Sequence, residues 1–175
     1  MKLSELIKTR YSCRAYKQDS ISDEIIKTIF DAARFAQSAS NRQEWRFVIV
    51  NDRNNINTLA DKAGDQSWWK TAPVIIICCA ETNNHVMRCR QAAYIVDLSI
   101  IMDQITLLAA ESGLSSCWLG AFDEDKVKDI CSLPKHIRVV GLITLGYPAD
   151  SPREKKRLSL DQILFRNKWG EKFLS

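Results

Sequence analysis

The stretch from Cys89 to Ser112 constrains the fold of this chain most, because its apolar residues run nearly all the way round a helix. Ile95, Val96, Leu98, Ile100, Ile101, Met102, Ile105, Leu107 and Leu108 leave no clean polar face, and Gly113 supplies a helix stop. A chain of 175 residues buries a real core, yet one small domain does not easily cover a helix on every side. Part of this helix is therefore expected to meet another subunit. Asp97 and Asp103 argue against a membrane span, since acids inside lipid are costly. Met1 to Tyr16 lacks the apolar core and cleavage pattern of a secretory signal. The expectation is a cytoplasmic protein with no membrane partner.

The other elements follow from periodicity and caps. Leu3 to Lys8 reads as a short helix. Ser22 is the expected N-cap of a second, whose apolar face is Ile25, Ile26, Ile29, Phe30 and Ala33. Phe47 to Val50 reads as a buried strand and Asn54 to Ala63 as a helix. Pro73 opens a strand, Val74 to Cys79, that is apolar at every position, so both its faces should be covered. A strand over Leu114 to Leu119, a helix over Glu124 to Cys131 and a strand over Val139 to Leu145 complete the pattern. The tail after Asp150 is basic, then carries Ile163, Leu164, Phe165, Trp169 and Phe173, which need a surface to dock on. The reading is mixed α and β, one domain over 1–175, with helices flanking one sheet.

Composition excludes several classes. The net charge of +4 is mild and dispersed, with no basic stripe interleaved with aromatics, so no nucleic-acid partner is expected. The six cysteines form no CxxC pair and no ligand spacing with His85 or His136, so neither a metal site nor an iron–sulfur cluster is expected. Cys78 and Cys79 read as small core residues, and all six as reduced thiols.

Three segments carry candidate chemistry. In Arg10-Tyr11-Ser12-Cys13-Arg14, guanidiniums and a hydroxyl at alternating positions of an extended segment can converge on an anion such as phosphate. Taken alone, an ordinary solvated basic turn is the better reading. Ser38-Ala39-Ser40-Asn41-Arg42-Gln43-Glu44-Trp45 is amide-rich, which suits the edge of a heterocycle equally with a self-capped turn. Ser116 to Asp123 runs from a strand through Gly120 and Ala121 to a helix capped by Asp123. Gly120 lets a backbone N–H approach a flat ligand, or serves only the turn's own geometry.

Together these segments resemble the nitroreductase family over nearly the whole chain. TRYSCRAY is similar to the family's RRSxRxF-like start, and AQSASNRQEWRFVIV to its APSxxNxQPWxFvvv block. GLSSCWLGAFDEDKVKDICSLP followed by GLITLGYP resembles its GLGxCWIGxF…LP…GYP region, and KKRLSLDQIL fits its K-x-R-x-x-L element. Gln37 and Glu44 stand where the family usually has prolines. That departure implies a less rigid loop and a negative charge near the flavin edge.

The resemblance implies an α+β, nitroreductase-like fold: a central, mostly antiparallel sheet flanked by helices in an intertwined homodimer, with flavin mononucleotide (FMN) at the subunit interface. Arg10 and Ser12 would hold the phosphate with Arg157 and Lys155, Tyr11 lying between them. Arg14 would reach toward the ribityl chain and the pyrimidine end of the ring. Ser38, Ser40 and Asn41 would approach the ring from the other subunit, with Gln43 supporting their loop. Leu119 and the Gly120 and Ala121 backbone would face flavin N5, and no catalytic side chain is implied. The flavin carries the chemistry in a ping-pong reaction, taking hydride from NAD(P)H and passing it to a small-molecule acceptor, a nitroaromatic, quinone or related electrophile. Other readings are a flavin-binding module with another electron donor or a storage role, flavin fragmentation, and reductive dehalogenation. The short segment between Ala80 and the long helix speaks against the last two. On the substrate side Trp68, Trp69 and Phe122 are candidates, although simple packing of the two tryptophans is the favoured reading. Arg88 and Arg90 are read as a solvated start of the long helix.

Overall fold

The computed structural model describes residues 2–173. Four antiparallel strands form one sheet in the order β1-β2-β4-β3: β1 is Trp45–Val50, β2 Val74–Ala80, β3 Ser115–Leu119 and β4 Arg138–Gly146. Trp45 pairs with Ala80, Val74 with Leu145 and Leu119 with Leu142, with an irregularity in the β2–β4 ladder at Cys78/Cys79. β2 is buried throughout, because its alternate residues feed two different cores. Val74, Ile76, Cys78 and Ala80 face a cluster built with helices α2 (Asp23–Ala33) and α4 (Ala93–Glu111). Ile75, Ile77 and Cys79 face a second, with Ile56 of α3 (Arg53–Thr58), Leu59, Ala60, Trp69 and Val127 of α5 (Glu124–Ile130).

Local chemistry sets the helix ends. Ser22 caps α2 by accepting the Ile25 N–H, and Asp23 and Glu24 place negative charge in its first turn. Asp52 and Asp123 accept the Asn55 and Lys126 N–H groups at 2.9 Å and 3.1 Å, starting α3 and α5. α1 (Leu3–Thr9) packs Leu6 inward, and α6 is the short turn Leu160–Ile163 in the tail.

The structure corrects several expectations. The helix expected from Asn54 starts at Arg53 and widens into a π turn over Leu59–Gly64. An added Cβ on Gly64 would lie 2.3 Å from the Trp69 ring, so this turn requires a glycine to seat the indole. β1 is an edge strand with only its end residues fully buried, not a buried strand. The long helix begins at Ala93 rather than Cys89. Residues 86–92 form a turn closed by a Val86–Ala92 bridge, with Arg90 left-handed at φ 69°. Arg88 and Arg90 therefore lie outside the helix and do not oppose its dipole.

α4 is long and apolar enough to cross a membrane by length and composition, yet half of it is buried inside the protein. Its buried face, including Leu98, Ile101, Met102 and Ile105, packs on the sheet and α2. Ile95 and Val96 remain exposed.

Candidate functional site

Past α1 the chain runs extended beside β3. Ser12 bridges Ser116 in parallel, and the Cys13 N–H donates to the Ser116 carbonyl at 3.1 Å. Extended backbone alternates its side chains. Ser12 and Arg14 are exposed and Arg10 is half-buried, while Cys13 is fully buried behind them. Tyr16 pins the segment's end through its hydroxyl, 2.8 Å from Thr144 Oγ1.

The inward side is held by one carboxylate. Asp150 Oδ1 accepts from the Tyr11 hydroxyl at 2.9 Å and the Cys13 thiol at 3.0 Å, and Oδ2 accepts the Arg14 N–H at 3.0 Å. Partial burial works to raise the Asp150 carboxyl, but these three bonds outweigh it and hold it below the ordinary range. Burial, then the bond to Asp150, pushes the Cys13 thiol up to about 11. Such a thiol is inert at neutral pH. Tyr11 thus spends its hydroxyl on Asp150 and borders the outer cavity with the rest of its side chain.

On the outward side lies a cavity of about 290 Å³ formed by the two ends of the chain. Arg10, Ser12 and Arg14 come from the N-terminal arm, and Arg153, Lys155, Lys156 and Arg157 from the segment after β4. Six cations against Asp150 and Glu154 make an anion-attracting pocket. The Lys155 ammonium donates to the Lys8 and Arg10 carbonyls, locking the two ends together. Desolvation first, then Arg10 and Arg157 beside it, lowers the Lys155 ammonium below its usual value. The structure therefore gathers Arg10, Ser12, Arg14, Lys155 and Arg157 as the sequence leads one to expect. Asp150, Arg153 and Lys156 were missed, although the dense charge run from Asp150 to Arg157 signals them.

The second segment folds as a 3₁₀ turn, Ala39–Asn41. Ser40, Asn41 and Gln43 all have positive φ, at 53°, 55° and 50°. Each such non-glycine residue costs on the order of 1 kcal/mol. Internal bonds hold the loop: Ser38 Oγ accepts the Gln43 N–H at 3.2 Å, and Gln43 Nε2 donates to Asn41 Oδ1 at 2.9 Å. Ser40, Asn41 and Gln43 are exposed and Ser38 is half-buried.

Glu44 does not present its charge outward, contrary to expectation. It is 7% exposed, paired with Arg42 at 3.1 Å and accepting from the Thr82 hydroxyl at 2.9 Å. Arg42 in turn donates to Asn83 Oδ1 at 2.7 Å. These bonds tie the end of the loop to the segment after β2.

In the third segment Leu119 is buried at the end of β3, while Gly120 and Ala121 are exposed. A Cβ at Gly120 would sit 2.9 Å from the Trp118 ring, which gives this glycine a local reason as well. Trp69 is fully buried and belongs to the second core, against which the partly buried Trp68 and Phe122 also pack. Trp68 is half-buried, with the Arg14 guanidinium 5.9 Å from its ring.

The arginine arm lies beside β3 and the Ser38–Gln43 loop leads into β1, the opposite edge strands of the sheet. Three strand spacings separate those edges by roughly 14 Å. One copy of the chain does not bring the two groups together.

Comparison with known proteins follows this geometry. The sequence profile of the nitroreductase family matches residues 7–66 and 55–147. A Methanothermobacter thermautotrophicus protein, provisionally named an NADH dehydrogenase/NAD(P)H nitroreductase, is 32% identical over 167 residues, covering 93% of this chain and 86% of that one. The crystal structure of a nitroreductase family protein from Clostridium difficile superposes with a TM-score of 0.86 at 28% identity, covering 96% of this chain and 99% of that chain. The NADPH:FMN oxidoreductase of Vibrio harveyi, solved with NAD+, superposes with a TM-score of 0.87 at 26% identity, covering 97% and 78%.

Proposed function

The chain belongs to the nitroreductase family, and on that premise we propose that it is an FMN-dependent oxidoreductase that uses NAD(P)H to reduce nitroaromatic, quinone or related electrophilic acceptors. The observation that carries this reading is the cationic pocket closed by both ends of the chain. A phosphate monoester fits its lining, because forked guanidiniums, a hydroxyl and the positive charge of Lys155 border one small volume. The chemistry that FMN supplies when bound is acceptance of a hydride from a nicotinamide and its delivery to an acceptor.

The chain's own residues bind, orient and polarise. Arg10 and Ser12, with Lys155 and Arg157, hold the phosphate, while Tyr11 acts through Asp150 to keep the arm straight. Arg14 sets a positive charge near the ring, favouring negative charge that develops there. Ser38, Ser40 and Asn41 would read the ring edge, with Gln43 bracing Asn41, and the backbone of Leu119, Gly120 and Ala121 would border the ring.

We place each FMN between two copies in a homodimer. The arm and the amide loop stand at opposite sheet edges, so a second copy is needed to complete a site. Apolar surface suits such a contact: Ile95 and Val96 of α4, and in the tail Leu158, Leu160, Ile163 and Trp169, the last 91% exposed. All six cysteines are free, which fits the reducing cytoplasm.

Arg10→Ala tests the assignment. It removes a charged phosphate contact and little core, so FMN affinity should fall about tenfold or more, with a folded dimer on gel filtration and riboflavin binding unchanged. Native FMN affinity in Arg10→Ala would show that the phosphate sits elsewhere.

A further inference from the structure

Among the described residues, buried polar side chains are few, and two of them, Glu44 and Asp97, are carboxylates that meet the same loop. Asp97 lies near the start of α4, 2% exposed, among the buried residues Ala93, Tyr94, Leu98 and Ile101. A carboxylate there is expensive to desolvate, and Oδ2 has no hydrogen-bond partner. Oδ1 accepts the Ala39 N–H at 3.0 Å, across 58 residues of sequence. Glu44 holds the other end of the loop through Arg42 and Thr82. The three left-handed residues, Ser40, Asn41 and Gln43, all lie between these two pins. Backbone of that kind persists only where its surroundings over-determine it.

We propose that Asp97 is a positioning residue for the cofactor: it fixes the backbone at Ala39, so that Ser38, Ser40 and Asn41 are presented to the flavin ring already in place. This rests on the reading of the chain as a flavin enzyme. Asp97 works through the loop: its hydrogen bond is to Ala39, not to a residue of the phosphate pocket. Its loss therefore weakens ring-side recognition and leaves the phosphate pocket intact.

The test uses the full chain, with flavin affinities from fluorescence titration and thermal melts of the flavin-free protein. Two single variants break the contact from either side. Asp97→Leu removes the acceptor, and Ala39→Pro removes the donor. Ser38 at φ −142°, ψ 152° already has the extended backbone that precedes proline, and Ala39 opens a 3₁₀ turn. Each variant should weaken FMN and riboflavin by the same factor, about tenfold, as expected for a bond to a charged group. Asp97→Asn keeps an acceptor oxygen and should stay within roughly threefold of the native chain. The double variant should be no weaker than the poorer single one, because both remove one interaction.

Native affinity for both flavins in Ala39→Pro, with or without a lower melting temperature, would overturn the proposal. So would a loss confined to FMN. If Asp97→Leu does not fold, Ala39→Pro and Asp97→Asn decide. A native chain that binds neither flavin would instead overturn the functional reading beneath it.

Discussion

Tyr11 and Asp150, 139 residues apart in sequence, are joined twice: the phenol donates to the carboxylate at 2.9 Å and to the Asp150 backbone carbonyl at 3.0 Å. The same carboxylate takes the Cys13 thiol and the Arg14 N–H. One side chain therefore lines up the arm whose opposite side carries Arg10, Ser12 and Arg14. It also stands at the head of the basic segment that closes the pocket.

Asp150→Asn should loosen that alignment, because an amide cannot accept at both ends. FMN affinity is expected to fall about tenfold, while riboflavin, which lacks a phosphate and loses only the alignment of Arg14, weakens by a smaller factor. Titrating both flavins checks this, and equal losses for the two would place Asp150 outside the phosphate site.

Acid should strip a second, purely structural interaction. Glu124 takes Arg138 through bonds of 2.9 Å and 3.1 Å and accepts the Val139 N–H at 2.9 Å, tying α5 to β4. Burial works to raise its carboxyl, but the Arg138 bonds and the Val139 N–H outweigh it and bring it from 4.5 to about 2. A depressed carboxyl stabilises fully above its unfolded value. That contribution, about 1 kcal/mol after solvent screening, is lost as pH falls from 4.5 toward 2. Urea midpoints of the native chain and Glu124→Gln should differ at pH 6 and converge below pH 4.5. A gap that stays constant down to pH 3 would refute the assignment.

Gly64→Ala should destabilise the second core. The new methyl would meet three ring carbons of Trp69 at 2.3 to 2.6 Å, and that indole is fully buried. Overpacking of this kind costs about 1–3 kcal/mol. Chemical denaturation measures it, and an unchanged midpoint would mean that the indole has room to shift.

Much of the fold is legible in the sequence because it rests on local or periodic signals. Val74 to Cys79 announces a strand covered on both faces, and the structure extends it to Ala80 and divides its residues between two cores. Ser22 and Asp123 mark helix starts by chemistry that acts over three residues. The start of α4 is not legible, because Arg88 to Gln91 suits a helix by composition, whereas the structure closes these residues into a turn through the Val86–Ala92 bridge and the Met87 N–H to Gln91 carbonyl bond. At the site, the alternation of Arg10, Ser12 and Arg14 is written in the sequence. The partners of their inward neighbours are not, since Asp150 is reached only through tertiary folding. Glu44 misled for the same reason: whether a charge faces a ligand or a buried arginine depends on Thr82 and Arg42, which spacing does not place.

The most direct test of the account is the visible absorption spectrum of the purified protein after incubation with FMN and removal of excess flavin, recorded without air before and after adding NADPH or NADH. The account predicts a retained flavin spectrum that bleaches on addition and returns when a quinone or nitroaromatic is supplied. A protein that retains no flavin, or a bound flavin that neither nicotinamide reduces, would contradict it.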